Sequence, residues 1–211
     1  MGRMNRREKK ILLIVTFLTV CFAVIAYLVV SDKVSWFDVP IIYYIQGLES
    51  TSLTPIMFFF TLIGSKFIVA PLSIIILLVL YIQKKQLSEL LFFAIASLGS
   101  EFLNIILKLV FQRVRPIEHR LVEETGYSFP SGHSMAAFTL YVLIAYFLFH
   151  RSKTFKMRIV VISFVSLLIF AVGLSRIYLG VHFPSDIIGG YLASGIWFLF
   201  SYSLLRTAHQ D

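Results

Sequence analysis

The sequence predicts an all-α, polytopic membrane protein with six transmembrane helices and both termini in the cytoplasm. Three observations predict it. Of the 211 residues, 58% are hydrophobic and 14% charged, with a mean hydropathy of +0.86, well to the apolar side of soluble domains. The apolar residues gather into six runs, at about 11–30, 56–80, 89–112, 133–149, 159–176 and 186–205, and a span needs roughly 17–25 such residues. The basic residues are sorted by loop: with the N-terminus cytoplasmic, twelve of the nineteen (Arg3, Arg6, Arg7, Lys9, Lys10, Lys84, Lys85, Arg151, Lys153, Lys156, Arg158 and Arg206) fall on the cytoplasmic side. That is the positive-inside pattern. The net charge of +8 therefore does not mark a nucleic-acid surface.

The opening MGRMNRREKK has the basic character of a secretory signal, but about twenty apolar residues follow it without an A-x-A-like cleavage site, so the first span reads as a retained anchor. Cys21 is the single cysteine and lies in that span, so no internal disulfide can form. The segment 31–54 mixes Trp36, Phe37, Tyr43 and Tyr44 with acids and polar residues, as an interfacial helix packed on the bundle does. Gly64 and Ser65, at the outer end of span two, either line a pocket there or allow close helix packing.

In span three, Glu101, Asn104, Lys108 and Arg115 share one stripe. Ionisable residues within a span face the bundle interior or a cavity. Lys108 and Arg115 are two turns apart, about 10 Å along the axis, and Pro116 ends the helix. A snorkelling lysine and an anchoring arginine would account for those two alone but not for the stripe. The loop 113–132 follows, polar throughout, with Ser128 expected to be accessible in it.

Span four opens on PSGH, residues 130–133. Ser131 can cap this helix, which leaves the N–H groups of Gly132 and His133 at the positive end of its dipole, a place suited to an anion. Span five ends on Ser175 and Arg176. Span six opens in VHFPSD, where Pro184 suits the first helical position, Asp186 falls in the first turn and His182 lies just before it. Asp186 either compensates the helix dipole or holds one nitrogen of His182, leaving the other free as a nucleophile. His119, His150 and His209 read as solvated. No repeat, low-complexity tract or soluble linker interrupts the chain, which reads as one domain over 1–211.

If the spans alternate, the end of three, the start of four, the end of five and the start of six share one face, and that face is extracytoplasmic. It collects His133, His182, Asp186, Lys108, Arg115, Arg176 and the capping Ser131.

Three motifs stand complete and in order: K-x6-R-P as Lys108, Arg115 and Pro116; P-S-G-H as 130–133; and S-R-x5-H-x3-D as Ser175, Arg176, His182 and Asp186. With them the chain resembles the type 2 phosphatidic-acid phosphatase superfamily of lipid phosphatases and vanadium haloperoxidases. The match covers roughly 100–190. The six-span layout is similar to that of bacterial membrane members, and those nearest in size dephosphorylate phosphatidylglycerophosphate, undecaprenyl pyrophosphate or related lipids.

The resemblance implies that His182, oriented by Asp186, attacks phosphorus in line to form a phosphohistidine. His133 then protonates the departing lipid oxygen and afterwards activates water. Lys108, Arg115 and Arg176, with backbone N–H groups near Ser131 and Gly132, would hold the equatorial oxygens. No metal and no other cofactor is implied, since three cations stand where a divalent ion stands elsewhere. The expected partners are a lipid phosphate and the bilayer, with no nucleic acid and no obligate protein partner, in the plasma membrane. Phosphatidylglycerophosphate is expected first, as a small monoester dianion matched to three cations. Undecaprenyl pyrophosphate comes second, its extra phosphate needing one more cation, which Arg113 or Arg120 would supply.

Other classes fit less well. An intramembrane serine protease could use Ser131 and His182, but it wants glycine two residues before the serine, and position 129 is Phe. An anion transporter shows repeated halves and broken helices near the midplane, whereas this cluster lies at one surface. A haloperoxidase would need the same residues around vanadate, but a compact six-span chain without a large soluble domain suits a lipid substrate better. A metal held by His133, His182 and Asp186 would be repelled by the adjacent cations.

Overall fold

The computed structural model describes residues 5–152 and 154–207, without the side chains of His150 and of residues 205–207. Arg3, Lys153 and His209 therefore lie outside the described residues, as do the side chains of His150 and Arg206. The described residues form eight helices and no strand: α1 (Arg6–Val30), α2 (Ser35–Gln46), α3 (Leu53–Ile63), α4 (Lys66–Ile82), α5 (Leu87–Phe111), α6 (Gly132–Arg151), α7 (Phe155–Tyr178) and α8 (Pro184–Thr207). The start of α1 is a capping box. Asn5 accepts from the N–H groups of Arg7 and Glu8, and the Glu8 carboxylate accepts from the Asn5 N–H, which satisfies donors that a helix end leaves orphaned.

Five helices, α1, α5, α6, α7 and α8, are long and apolar enough to cross a membrane. The apolar run over 56–80 is not the one continuous helix that its length suggests: α3 and α4 meet at 45° across Gly64 and Ser65. Counting the bent pair as one span gives up to six. The break has a packing cause. A Cβ on Gly64 would stand 2.3 Å from Cγ1 of Val172, so glycine lets α3 lie directly on α7. Ser65 then turns to extended backbone, with its hydroxyl on the Leu62 carbonyl at 2.7 Å.

Helices α5, α6 and α8 pack on one another at the centre, with α7 on α6, α1 on α8, α3 on α7 and α4 against α5 and α6. Phe92, Phe93, Leu140, Leu143 and Val172 fill the core. The outer faces are apolar as well: Leu13 and Phe17 of α1, Leu98 and Phe102 of α5, and Phe164 and Leu167 of α7 all point outward. A soluble bundle would carry charge there, whereas hydrocarbon imposes no such need.

The end of α5, the start of α6, the end of α7 and the start of α8 meet at one end of the bundle. Helix α1 reaches this end with its C-terminal half, where Phe22 packs against Phe111 and Phe129. The N-terminus of α1 and the C-terminus of α8 point the other way, towards the end where Arg151 bonds Gln83. The segment 31–54 holds α2, which packs against α7 and α8. Trp36, Tyr43 and Tyr44 are exposed on it, but Asp38 turns inward and is 1% exposed.

Candidate active site

Two connections build the site: the long α5–α6 loop, residues 112–131, and the short α7–α8 turn, residues 179–183. The turn depends on Gly180, whose φ is +74° and where a Cβ would fall 1.7 Å from the His119 carbonyl oxygen. Only glycine takes that conformation while the loop passes so close. The Leu121 N–H then donates to the Leu179 carbonyl at 3.1 Å, tying loop to turn. The turn delivers His182 to the interior, 2% exposed.

Pro184 begins α8, and Asp186 occupies its first turn. Oδ2 of Asp186 accepts from the Phe183 N–H at 2.9 Å, from Nδ1 of His182 at 3.2 Å and from the Ser128 hydroxyl. Both alternatives the sequence leaves open for Asp186 are therefore realised in one carboxylate, which caps the helix and holds the imidazole. The other ring nitrogen, Nε2, faces Nη1 of Arg115 at 3.0 Å. A guanidinium has no acceptor, so these partners assign the lone pair to Nε2 and the proton to Nδ1. Burial pushes His182 down to about 3, against the upward pull of its hydrogen bond to Asp186 and that residue's charge. Arg176 and Arg115 push it the same way as burial. The ring is a neutral base with its free lone pair aimed at the cations.

Those cations are already well tethered. Arg115, 8% exposed, donates to the carbonyls of Gly126 (3.0 Å), Val181 (3.0 Å) and Thr125 (3.2 Å). Burial lowers its pKa and the charges of Glu124 and Asp186 oppose that, and a guanidinium stays protonated in any case. Lys108 donates to the Tyr127 and Ser128 carbonyls, and Asn104 to the Pro130 carbonyl at 3.1 Å. Asn104 and Lys108 of α5 thus clamp the loop from outside, whereas Arg115 holds it from within: α5 ends at Phe111, where Gln112 turns left-handed with φ +46°, so the expectation of a helix that carries Arg115 and is ended by Pro116 is corrected. Glu101 does not join them. It is exposed and lines a separate groove with Lys66, Ser97, Ser100 and Thr139. Its side chain leaves α5 towards α4, away from the α5–α6 seam that Asn104 occupies.

Arg176 is 2% exposed at the end of α7. Its Nη2 pairs with Oε1 of Glu124 at 2.5 Å and its Nη1 with the Thr61 hydroxyl, while its buried Nε has no hydrogen-bond partner among the described residues. The second Glu124 oxygen lies 3.7 Å from Nη2 of Arg115. One carboxylate thus bridges two arginines, where an anion of similar size can sit. His133, in the first turn of α6, lines an opening with Arg176, Glu124, Thr61 and Ser65. Ser131 caps α6, accepting from the Ser134 N–H at 3.4 Å, and its own N–H donates to the Asp186 carbonyl at 3.1 Å. At Gly132 a Cβ would stand 3.0 Å from Oδ1 of Asn104, so α5 and α6 approach closely beneath the cap.

Five residues matter here that sequence reasoning missed or misplaced. Ser128 is 0% exposed and bonded to Asp186, so it is not the accessible loop position expected of it. Arg113 is not a spare cation: it is paired to Asp38 at 2.8 Å and Asp186 at 2.7 Å. Asp38 is buried with it, and an acid in the otherwise apolar stretch WFDVPII was the available signal. Glu124 carried no signal, one of two adjacent acids in a polar loop. His119 is more than solvated, since its ring meets Glu49 at 2.5 Å.

The arrangement offers a neutral imidazole held by a carboxylate, a second imidazole and fixed positive charge, a set suited to phosphoryl transfer. Comparison with known proteins agrees. The PAP2 superfamily profile matches residues 89–210. The chain is 38% identical over 143 residues to phosphatidylglycerophosphatase B of Bacillus subtilis (strain 168), covering 66% of this chain and 68% of that protein. It is 26% identical over 166 residues to an undecaprenyl-diphosphatase of Sulfolobus acidocaldarius, covering 78% of this chain and 76% of that protein. The crystal structure of a transmembrane PAP2 type phosphatidylglycerolphosphate phosphatase from Bacillus subtilis superposes with a TM-score of 0.82 at 30% identity, covering 92% of this chain and 96% of that one.

Proposed function

The chain belongs to the PAP2 superfamily and is a membrane lipid phosphatase, and from that premise we propose that it hydrolyses phosphatidylglycerophosphate to phosphatidylglycerol and phosphate through a phosphohistidine. The observation that carries the reading is the Nε2 lone pair of His182, held by Asp186 from behind and facing Arg115. Nε2 attacks phosphorus as the bond to the lipid oxygen breaks, and His133 gives that oxygen a proton. His133 then takes a proton from water, whose oxygen attacks phosphorus and releases Nε2. Lys108, Arg115 and Arg176 meet the charge on the equatorial oxygens, joined by backbone N–H groups at Ser131 and Gly132. The orphaned Nε of Arg176 supports that role. With this much fixed positive charge the reaction runs without a divalent metal.

The active site faces the extracytoplasmic side of the plasma membrane, with α3 and α4 forming one bent span, six spans in all and both termini cytoplasmic. In support, Arg6, Arg7, Lys9, Lys10, Lys84, Lys85, Arg151, Lys156 and Arg158 lie towards the end of the bundle away from the site, as positive-inside sorting requires. Residues 1–211 act as a single domain with no obligate protein partner.

The Bacillus subtilis relative supports phosphatidylglycerophosphate as the substrate. The Sulfolobus relative supports a second reading, undecaprenyl pyrophosphate, but the two ion pairs of Arg113 take it from the supply of cations for a second phosphate. Phosphate release from phosphatidylglycerophosphate, phosphatidic acid and undecaprenyl pyrophosphate in one detergent tests the order. The expected result is the highest kcat/KM on phosphatidylglycerophosphate. A much higher value on the pyrophosphate lipid would reverse the order and leave the histidine chemistry standing.

A further inference from the structure

Asp38 is an acid buried to 1% exposure on a helix whose neighbouring residues lie at the surface. An ionised carboxylate in such a place is costly unless it is fully paired. It is fully paired. Oδ2 accepts from Nη2 of Arg113 at 2.8 Å and from the Ser185 hydroxyl at 2.6 Å, and Oδ1 accepts from the Ser185 N–H at 2.8 Å. The other arm of Arg113, Nη1, donates to Oδ1 of Asp186 and to the Ser185 hydroxyl, both at 2.7 Å. The guanidinium also lies over the Phe183 ring, its Cζ 4.0 Å from the centroid. An unbroken chain of charged contacts thus runs from Asp38 through Arg113 and Asp186 to Nδ1 of His182.

A tether for α2 could be apolar, and replacing buried ion pairs by apolar groups is often neutral or stabilising. The chain of charges supplies something an apolar tether cannot. Asp186 has two oxygens: Oδ2 faces the imidazole and Oδ1 faces Arg113, so the guanidinium sets the plane in which the carboxylate meets the ring. Asp38 neutralises Arg113. With His182 neutral, Asp38, Arg113 and Asp186 sum to one negative charge, which balances the positive ring formed when Nε2 bonds to phosphorus. Without Asp38 the remaining pair, Arg113 and Asp186, sums to zero, and the positive charge that forms on the ring is left unbalanced. Without Arg113, two buried carboxylates face each other.

We propose that Asp38 and Arg113 are positioning residues, which hold Asp186 and through it the His182 ring in the orientation and charge balance that formation of the phosphohistidine requires. The proposal rests on the nucleophile reading above, and it joins the interfacial helix α2 to the chemistry through a residue that touches no substrate.

The test uses the full chain purified in detergent, with steady-state kcat and KM on phosphatidylglycerophosphate and the thermal midpoint of every variant. The variants are Asp38→Asn, Arg113→Gln, the two combined, Arg113→Lys and Ser185→Ala, with His182→Gln measured beside them. The expected result for Asp38→Asn and Arg113→Gln is a fall in kcat of about ten- to a hundredfold with KM within about threefold, as for other residues that orient a reacting group. The combined variant is expected to be no slower than Arg113→Gln, because both act along one path. Arg113→Lys stays impaired, since one ammonium cannot fork between two carboxylates.

Values of kcat within about twofold of wild type in both single variants, with His182→Gln inactive, would overturn the positioning role and leave the nucleophile assignment intact. Losses that multiply in the combined variant would overturn the shared path. If Asp38→Asn does not fold, Ser185→Ala decides: kcat down about threefold or more at a near-native midpoint supports the proposal, and an unchanged kcat overturns it. Full activity in His182→Gln would instead remove the nucleophile, and the proposal with it.

Discussion

Nη1 of Arg115 donates to Nε2 of His182 across 3.0 Å, so a phosphate that is to be attacked by this nitrogen must first take its hydrogen bond away. Asp186 holds the ring from the Nδ1 side and Arg115 from the Nε2 side, and the two fix both tautomer and direction. A phosphate oxygen accepting from Arg115 would draw the guanidinium towards the substrate and leave the lone pair facing phosphorus, so under the proposed mechanism binding and activation of the nucleophile would be one event.

His182→Gln is expected to abolish turnover and any acid-labile phosphoenzyme, a loss of at least about a thousandfold in kcat. His133→Gln is expected to slow both halves of the reaction and leave phosphoenzyme to accumulate after a burst. Trapping with radiolabelled lipid phosphate distinguishes the two, and a labelled intermediate surviving in His182→Gln would move the nucleophile elsewhere.

The neutral, buried state of His182 makes stability pH-dependent in a defined direction. Its folded pKa, about 3, lies below the ordinary value of 6.5, so between these values the unfolded chain binds the extra proton and stability rises with pH. The contribution is complete above 6.5 and is lost as pH falls towards 3. Between pH 7 and pH 5 the wild type is expected to lose about 2 kcal/mol more than His182→Gln. Chemical-denaturant midpoints of both proteins at the two pH values check this, and equal losses would mean that the ring is already protonated when folded.

Arg176→Lys and Arg115→Lys are expected to lower kcat/KM by about a hundredfold each, although charge is retained. Arg176 spreads its guanidinium between Thr61 and Glu124, and Arg115 holds three backbone carbonyls as well as His182. An ammonium reproduces neither fork. Near-normal kinetics in both would reduce these arginines to anchors.

Activity is expected to persist in excess chelator, and vanadate is expected to inhibit competitively, as a five-coordinate mimic of the transferring phosphoryl group. Phosphate-release assays with and without chelator decide the first point. A strict requirement for added magnesium would replace the three-cation mechanism with a metal-dependent one.

Sidedness can be read by labelling. Ser128 is buried and unsuitable, so the reporter belongs at Glu123, exposed in the same loop, with Lys156 as its counterpart at the other end of the bundle. With Cys21 replaced by alanine, Glu123→Cys is expected to react with a membrane-impermeant thiol reagent on intact cells and Lys156→Cys only after lysis. The reverse pattern would turn the active site to the cytoplasm.

Much of the site was legible because its parts announce themselves locally. Pro184 and Asp186 mark the start of α8, Ser131 caps α6, and Arg176 ends α7 on the face where alternation of spans puts His133 and His182. The same local logic overreached at two places. An apolar run of helical length does not reveal that Gly64 must press against Val172 and bend the span, and a helical stripe does not reveal that α5 stops at Phe111, so that Arg115 reaches the site from the loop.

By itself the sequence determined how many residues are apolar enough to enter a bilayer, which ends of which helices share a face, and which imidazoles, acid and cations gather there. Those properties follow from composition, from a period of 3.6 residues and from alternation, all of which act over short distances along the chain. Only the tertiary structure decided which oxygen of Asp186 meets His182, that Arg113 is spent on Asp186 and Asp38 rather than on substrate, and that Glu124 bridges the two arginines. The physical reason is separation. Asp38 lies 75 residues from Arg113 and 147 from Ser185, and a buried charge finds its partner through the packing of helices, which no local pattern records.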